Sequence, residues 1–237
     1  ILYYVQVLTL AADISALGTW GLGLPIDLVM YEPEAEFAKL YNHAKLLDKH
    51  PVRVTIPVRP GFVKAVKIGG SLGFAVKLSI GQPNAEDISR LSEVLDMFLH
   101  KPAFSQPIEF FQSSMQSFFL DDAKTIWAIQ EEDPSMFRFI TTEGRELAAQ
   151  RFAGAESPSG RGLDTFVDDF INNLLSERRE CSKCEFVNHC RGYFKWPNRD
   201  YLCAGGIKEI FRELKSAAAE LQDDLAAYSV SRGGQNL

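Results

Sequence analysis

All four cysteines of the chain lie between Cys181 and Cys203, in the segment CSKCEFVNHCRGYFKWPNRDYLC, and none precedes them. The spacing is C-x2-C-x5-C-x12-C over Cys181, Cys184, Cys190 and Cys203. Two thiolates separated by two residues can ligate a common centre from one tight turn, and the longer intervals let two more approach from other sides. General disulfide stapling is a poor use of cysteines confined to so small a part of a 26.5 kDa chain. A structural zinc site usually sets a second close pair against the first, and this segment has none. Two separate, widely spaced donors fit the larger cubane of a [4Fe-4S] cluster better, with zinc or a redox or disulfide role for the thiols as the alternatives.

His189 stands beside Cys190 as a fifth candidate, either as a ligand or as a hydrogen-bond donor to one. Four cysteines already complete a coordination sphere, so a polar loop histidine is the simpler reading. His43, His50 and His100 are scattered and read as ordinary helix or helix-end residues. Tyr193, Phe194, Trp196 and Tyr201 crowd the interval between the last two cysteines. They read as the core that a loop-rich module builds around its metal, or else as a surface for a peptide.

Other groups carry less. The run G-G-S-L-G at Gly69 to Gly73 matches neither a phosphate-binding loop nor a dinucleotide fingerprint and reads as a hairpin turn. Ser113, Ser114 and Ser117 have no evident base to activate them. The acidic pairs at Asp121 and Asp122, Glu131 and Glu132, Asp168 and Asp169, and Asp223 and Asp224 read as solvated turns or helix faces. Arg53 and Lys77 fall on expected strands, facing either a cavity or water.

The elements that must position these residues follow from hydrophobic periodicity. Strands are expected at Tyr3 to Leu10, Pro25 to Tyr31, Val52 to Val58 and Phe74 to Ile80. A helix over Pro33 to Leu47 is expected to bury Phe37, Leu40, Tyr41, Ala44 and Leu47. A second begins at the Asn84 cap, with Asp87 completing a capping box and Ile88, Leu91, Val94, Leu95 and Phe98 as its apolar stripe. Further strands are expected at Ile108 to Gln112, Thr125 to Gln130 and Met136 to Thr141, the last two as a hairpin. Gly154 to Gly162 reads as a surface linker. Helices at Asp164 to Glu177 and Ile207 to Tyr228 then bracket the cysteines.

The fold class is accordingly α/β. Residues 1–155 form a mixed-sheet or partial-barrel domain, residues 160–228 a helix, metal-loop, helix module, and residues 229–237 a flexible tail. The chain has 237 residues, 25 basic against 31 acidic, and 46% hydrophobic residues, enough for one large or two small cores. A net charge of -6 without a basic tail disfavours nucleic acid as a partner. No stretch is apolar for long enough to suggest a membrane span. The clustered thiols favour a reducing cytoplasm. The chain starts at Ile1 rather than Met, so a processed chain or a piece of a longer one is expected, and the lack of a targeting segment carries little weight.

The run C-x2-C-x5-C-x-G at Cys181, Cys184, Cys190 and Gly192, preceded by a helix and followed by a later cysteine, resembles the SPASM or twitch-type C-terminal domain of radical SAM peptide-modifying enzymes. The resemblance covers about Asp164 to Tyr228. It implies an auxiliary [4Fe-4S] cluster held by Cys181, Cys184 and Cys190, with Cys203 as the outlying fourth ligand. Full SPASM domains carry a further cysteine where this chain has Phe194, and others upstream, so one cluster is the most this chain can hold. The C-x3-C-x2-C motif that binds the SAM-cleaving cluster is absent, since no cysteine precedes Cys181. The βα pattern at Phe74 to Leu99 is nevertheless similar to part of the radical SAM barrel. The implied role is an accessory partner of a separate radical SAM enzyme in peptide or protein modification, binding substrate or passing electrons. The alternatives are a zinc-stabilised interaction module and a degenerate radical SAM relative with an activity of its own in the α/β part.

Overall fold

A computed structural model describes residues 4–8, 10, 15–101, 106–121, 124–152 and 162–233. The chain divides into two compact units, Ile1–Gln112 and Ser113–Leu237. The linker expected at Gly154 to Gly162, including the expected boundary at 155–160, lies outside the described residues except for Gly162.

The first unit is a parallel α/β structure. Its strands β1 (Val5–Val7), β2 (Ile26–Val29), β3 (Val52–Pro57) and β4 (Ala75–Ser79) lie in the order β1-β2-β3-β4, and every pairing is parallel. Parallel neighbours need a crossover; the described residues between β1 and β2 hold a 3-10 turn at Leu17–Thr19, and the other two crossovers carry α-helix. Between β2 and β3 the chain forms α1 (Pro33–Glu36) and α2 (Leu40–His43), separated and followed by 3-10 turns at Phe37–Lys39 and Ala44–Asp48. The expected single helix is therefore broken. Three residues per 3-10 turn shift the stripe, so Leu40, His43 and Leu46 are buried while Tyr41 is exposed.

The glycines at 69 and 70 belong to helix α3 (Phe62–Ser71), which crosses from β3 to β4; they do not form a hairpin. Gly73, at φ 86, turns the chain out of the helix, and the left-handed region makes glycine the natural residue there. A Cβ on Gly69 would sit 3.4 Å from Val76, so a small residue lets α3 lie close to β4. Helix α4 (Ala85–His100) starts as the sequence predicts: Asn84 accepts from the Asp87 backbone at 3.0 Å, and Asp87 accepts from the Asn84 backbone at 3.2 Å. Its buried residues are Leu91, Val94, Leu95 and Met97.

Two expected strands are helices. Ile108 makes only an isolated parallel bridge with Val76, and the chain enters α5 (Glu109–Leu120) directly after it. Ser113, Ser114 and Ser117 are buried on that helix. Ile126–Ile129 is the short helix α6, whose first turn is capped by the Thr125 hydroxyl. A burst of four or five apolar residues fits a buried strand or a helix turn equally well, and only the capping threonine distinguishes the second case. The hairpin in this region pairs β5 (Phe139–Ile140) with β6 (Glu146–Leu147), antiparallel, so Met136 to Thr141 has a different partner from the one expected.

The rest of the second unit holds α7 (Phe166–Ser176), α8 (Val187–Cys190) and α9 (Ile207–Gly233). Helix α7 buries Phe166, Val167, Phe170, Ile171 and Leu174, and α9 buries Ile207, Ile210, Phe211, Leu214 and Ala218. The tail expected from Ser229 is helical to Gly233, and residues 234–237 lie outside those described. Among the described residues, no helix is long and apolar enough to cross a membrane.

One face of the parallel sheet carries charge. Register places Gln6, Asp27 and Arg53 side by side, with Thr55 beside Lys77 two residues along the same face. Asp27, fully buried, accepts hydrogen bonds from Arg53 at 2.9 Å, Thr55 at 2.7 Å and Gln6 at 3.1 Å. Arg53 also donates to Glu109 at 3.0 Å and lies over the Tyr4 ring. Arg53 and Lys77 are thus buried rather than facing water. Removing the Asp27 carboxylate leaves the buried guanidinium with only the more exposed Glu109 as its anion. Asp27→Ala is expected to lower stability by about 3–5 kcal/mol, and urea denaturation followed by circular dichroism would measure the loss.

Candidate metal centre

Three of the four cysteines sit in or at the end of short helical turns. Glu180–Lys183 is a 3-10 turn with Cys184 at its C-terminal cap. Side chains at i and i+3 eclipse in that geometry, so Cys181 and Cys184 project from the same side of one turn. Helix α8 then delivers Cys190 at its end. The next two residues, Arg191 at φ 47 and Gly192 at φ 76, both take the left-handed conformation and reverse the chain. A Cβ on Gly192 would stand 2.7 Å from Leu174 and 3.3 Å from Phe170, so a side chain there would displace α7 side chains and strain the left-handed backbone, which favours glycine. Cys203 precedes the turn into α9.

These placements bring all four thiols to one cavity of about 20 Å³, whose wall is completed by Phe186, Val187, Gly192, Ile207 and Phe211 and by Glu180, Lys195 and Lys208. All four are free thiols, with Cys203 buried and the others half-buried. Burial pushes the Cys181 thiol up, the Cys190 thiol up to about 11 and the Cys203 thiol up to about 12. The thiols also oppose one another's ionisation: Cys181 and Cys184 act on Cys190, and Cys190 and Cys181 act on Cys203. Among the described residues, no group of three or more His, Cys, Asp and Glu side chains is arranged to hold a metal ion. The thiols share a cavity without closing on a single point.

Glu180 organises the wall. Its carboxylate accepts from Lys195 at 2.8 Å and from Lys208 at 2.7 Å, and from the backbone N–H groups of Cys203 at 3.4 Å and Ala204 at 3.1 Å. Burial alone would raise its pKa, but the bonds from Lys195, Lys208 and Cys203 outweigh burial and hold it at about 2. One side chain therefore joins the first cysteine turn, the aromatic segment, the Cys203 backbone and α9. Lys195 also donates to the Tyr201 carbonyl. None of these three charged residues stands out in the sequence; the available signal is a glutamate directly before Cys181 and a lysine embedded in the run Tyr193-Phe194-Lys195-Trp196.

The aromatic group forms a core, as the simpler reading had it. Tyr193 and Phe194 are buried, with Trp127 4.9 Å from Tyr193 and Trp196 packed edge-on to Phe166 at 4.9 Å. Arg151 lies 3.9 Å over the Tyr193 ring, donates to the carbonyls of Tyr193 and Trp196 and pairs with Glu132 at 3.1 Å. Tyr193 donates to the same Glu132 at 2.8 Å, so that acidic residue is part of the support and not simply a solvated turn. His189 does not line the cavity. Its Nδ1 meets the Lys124 carbonyl at 2.9 Å, and its ring rests against Phe118 and Phe211. Burial lowers its pKa to about 4, with the Lys124 carbonyl opposing, so it is neutral at pH 7.

The molecule is thus a parallel α/β unit followed by a unit with a thiol-lined cavity. No family model, no curated protein and no solved structure matches the chain.

The raised thiols give a pH prediction. A thiol at about 11 has about a hundredfold less thiolate at pH 8 than one at the ordinary 9.0. In the chelator-treated chain, Cys190 and Cys203 are expected to react with iodoacetamide at pH 8 at least about fiftyfold more slowly than in urea. Their rates should rise tenfold per pH unit. Mass spectrometry of the alkylated peptides reads the rates, and equal rates in buffer and urea would contradict the burial described.

Proposed function

We propose that this chain is an iron-sulfur protein in which Cys181, Cys184, Cys190 and Cys203 hold one [4Fe-4S] cluster. We further propose that it serves as an accessory subunit in radical-dependent peptide or protein modification by passing electrons. The observation that carries the reading is that the entire cysteine complement, drawn from three local segments, lines one cavity. The donor set suits the group: four thiols, apolar walls that keep water back, and cationic side chains beside ligands that are anionic when bound. A mononuclear zinc ion needs every sulfur about 2.3 Å from one point, whereas a cubane takes each thiolate on a different iron. The wide spacing of Cys190 and Cys203 from the first pair and from each other supports the second arrangement.

The electron-transfer role follows from ligand count. When bound, such a cluster supplies one-electron chemistry. Cys181, Cys184, Cys190 and Cys203 would together supply its full set of four thiolate ligands, which would leave no position for a substrate atom. The aromatic core at Tyr193, Phe194 and Trp196 then holds the ligand loops, while Phe186 and Phe211 on the wall limit access of water. The resemblance to SPASM or twitch-type domains supplies the radical SAM context, and a cytoplasmic setting accords with free thiols. The sequential parallel order of β1 to β4 is the order of a partial barrel, which keeps kinship with the radical SAM barrel within this reading.

Anaerobic expression and metal analysis test it. The expected result is a brown, oxygen-sensitive protein with about four irons and four sulfides per chain. Cys203→Ser is expected to lose more than half of the iron while the chain still folds. A colourless protein carrying one tightly held zinc ion, or Cys203→Ser with undiminished iron, would overturn the proposal.

A further inference from the structure

We propose that Lys208 and Lys195, bridged by Glu180, give the cavity wall one net positive charge, and that this charge raises the reduction potential of the centre held by the four cysteines. The inference rests on the cluster reading and extends it from ligation to redox tuning.

Three charged residues line the cavity, and they are the same three that form the bridge: Glu180, Lys195 and Lys208. Two ammonium groups share one carboxylate, at 2.8 Å and 2.7 Å, on separate oxygens. The bridge fixes both lysines at the wall. Their side chains are only 8% and 14% exposed, so solvent screens them weakly. Their charges reach the ligands: Lys195 acts on Cys181 and Cys203, and Lys208 acts on Cys181.

Charge counting fixes the sign. Four thiolates around a [4Fe-4S] core at its oxidised level carry a formal charge of two minus. One electron from a low-potential external donor brings it to three minus, with no bond broken and no proton moved. A fixed positive neighbour stabilises the more negative state, so the lysines favour reduction and the glutamate opposes it. Without Lys195 and Lys208, Glu180 would leave the wall negative and disfavour electron uptake. A purely structural bridge makes no distinction of sign between its members.

The experiment compares the reconstituted full chain with Lys208→Gln, Lys208→Arg and Glu180→Gln in anaerobic dithionite titrations with mediator dyes, iron being counted in each. Lys208→Gln is expected to lower the reduced-to-oxidised ratio at fixed potential at least tenfold, a midpoint about 59 mV more negative. Lys208→Arg, which keeps the charge, should stay within about threefold of the parent. Glu180→Gln should shift in the opposite direction, to more positive potential. Variants that keep about four irons yet show no shift, or shifts of the same sign for Lys208→Gln and Glu180→Gln, overturn the inference and leave the cluster reading intact. If Lys208→Gln loses its iron, the Glu180→Gln shift decides: positive supports the inference, zero or negative overturns it. A parent chain that takes up no iron overturns the cluster reading and this inference with it.

Discussion

The carboxylate of Glu180 is the interaction on which the cysteine segment depends. The segment has little regular structure of its own: a 3-10 turn, one turn of α-helix ending at Cys190, and another 3-10 turn at Tyr193–Lys195. Short turns of this kind do not hold one another in place, because each contributes few backbone hydrogen bonds. Glu180 supplies the missing long-range ties by accepting from Lys195, Lys208 and the backbone at Cys203 and Ala204. It lies one residue before the first cysteine and grips the backbone of the last, so the same charge that closes the loop also sets the spacing of the thiols. The aromatic core does the complementary task from the other side, with Arg151 fastening the carbonyls of Tyr193 and Trp196.

The first unit uses buried charge differently. Asp27, Arg53 and Glu109 form a chain of ion pairs on one face of the parallel sheet, and its members satisfy one another. Such a network is costly to break and specifies strand register, since sliding β2 against β3 by one residue would separate Asp27 from Arg53. The charges at the cavity belong to a different class. Two cations share a single anion there, so the local balance is completed only by something negative. On the proposed reading, bound thiolates would meet that condition.

Much of the fold was legible in particular stretches. The Asn84 and Asp87 capping box announced α4, the apolar stripes of α7 and α9 marked the helices on either side of the cysteines, and β2 to β4 followed from short β-branched runs. Helix α3 was hidden by Gly69 and Gly70, which punctuate a turn in most contexts but here allow close packing on β4. Helices α5 and α6 were hidden because Ile108 to Phe111 and Ile126 to Ile129 are too short for periodicity to decide between strand and helix. At the site, the gathering of Cys181, Cys184, Cys190 and Cys203 on one cavity was legible because cysteine is rare and its spacing carries meaning. Glu180, Lys195 and Lys208 were not, because an ion pair between residues 15 and 28 positions apart leaves no local pattern.

That difference bears on what the cavity is for. A thiol buried among thiols resists ionisation, as Cys190 and Cys203 show. Four such groups on one cavity are therefore a poor arrangement for nucleophilic chemistry, which needs an accessible thiolate near neutral pH. They suit a cofactor whose binding displaces the protons and repays the desolvation through metal-sulfur bonds. On the proposed reading, lysines on the same wall would lower the electrostatic cost of assembling that negative charge and would remain in place once it is there. A single electrostatic arrangement would then serve assembly and redox function together, with Glu180 limiting its strength by cancelling one of the two positive charges.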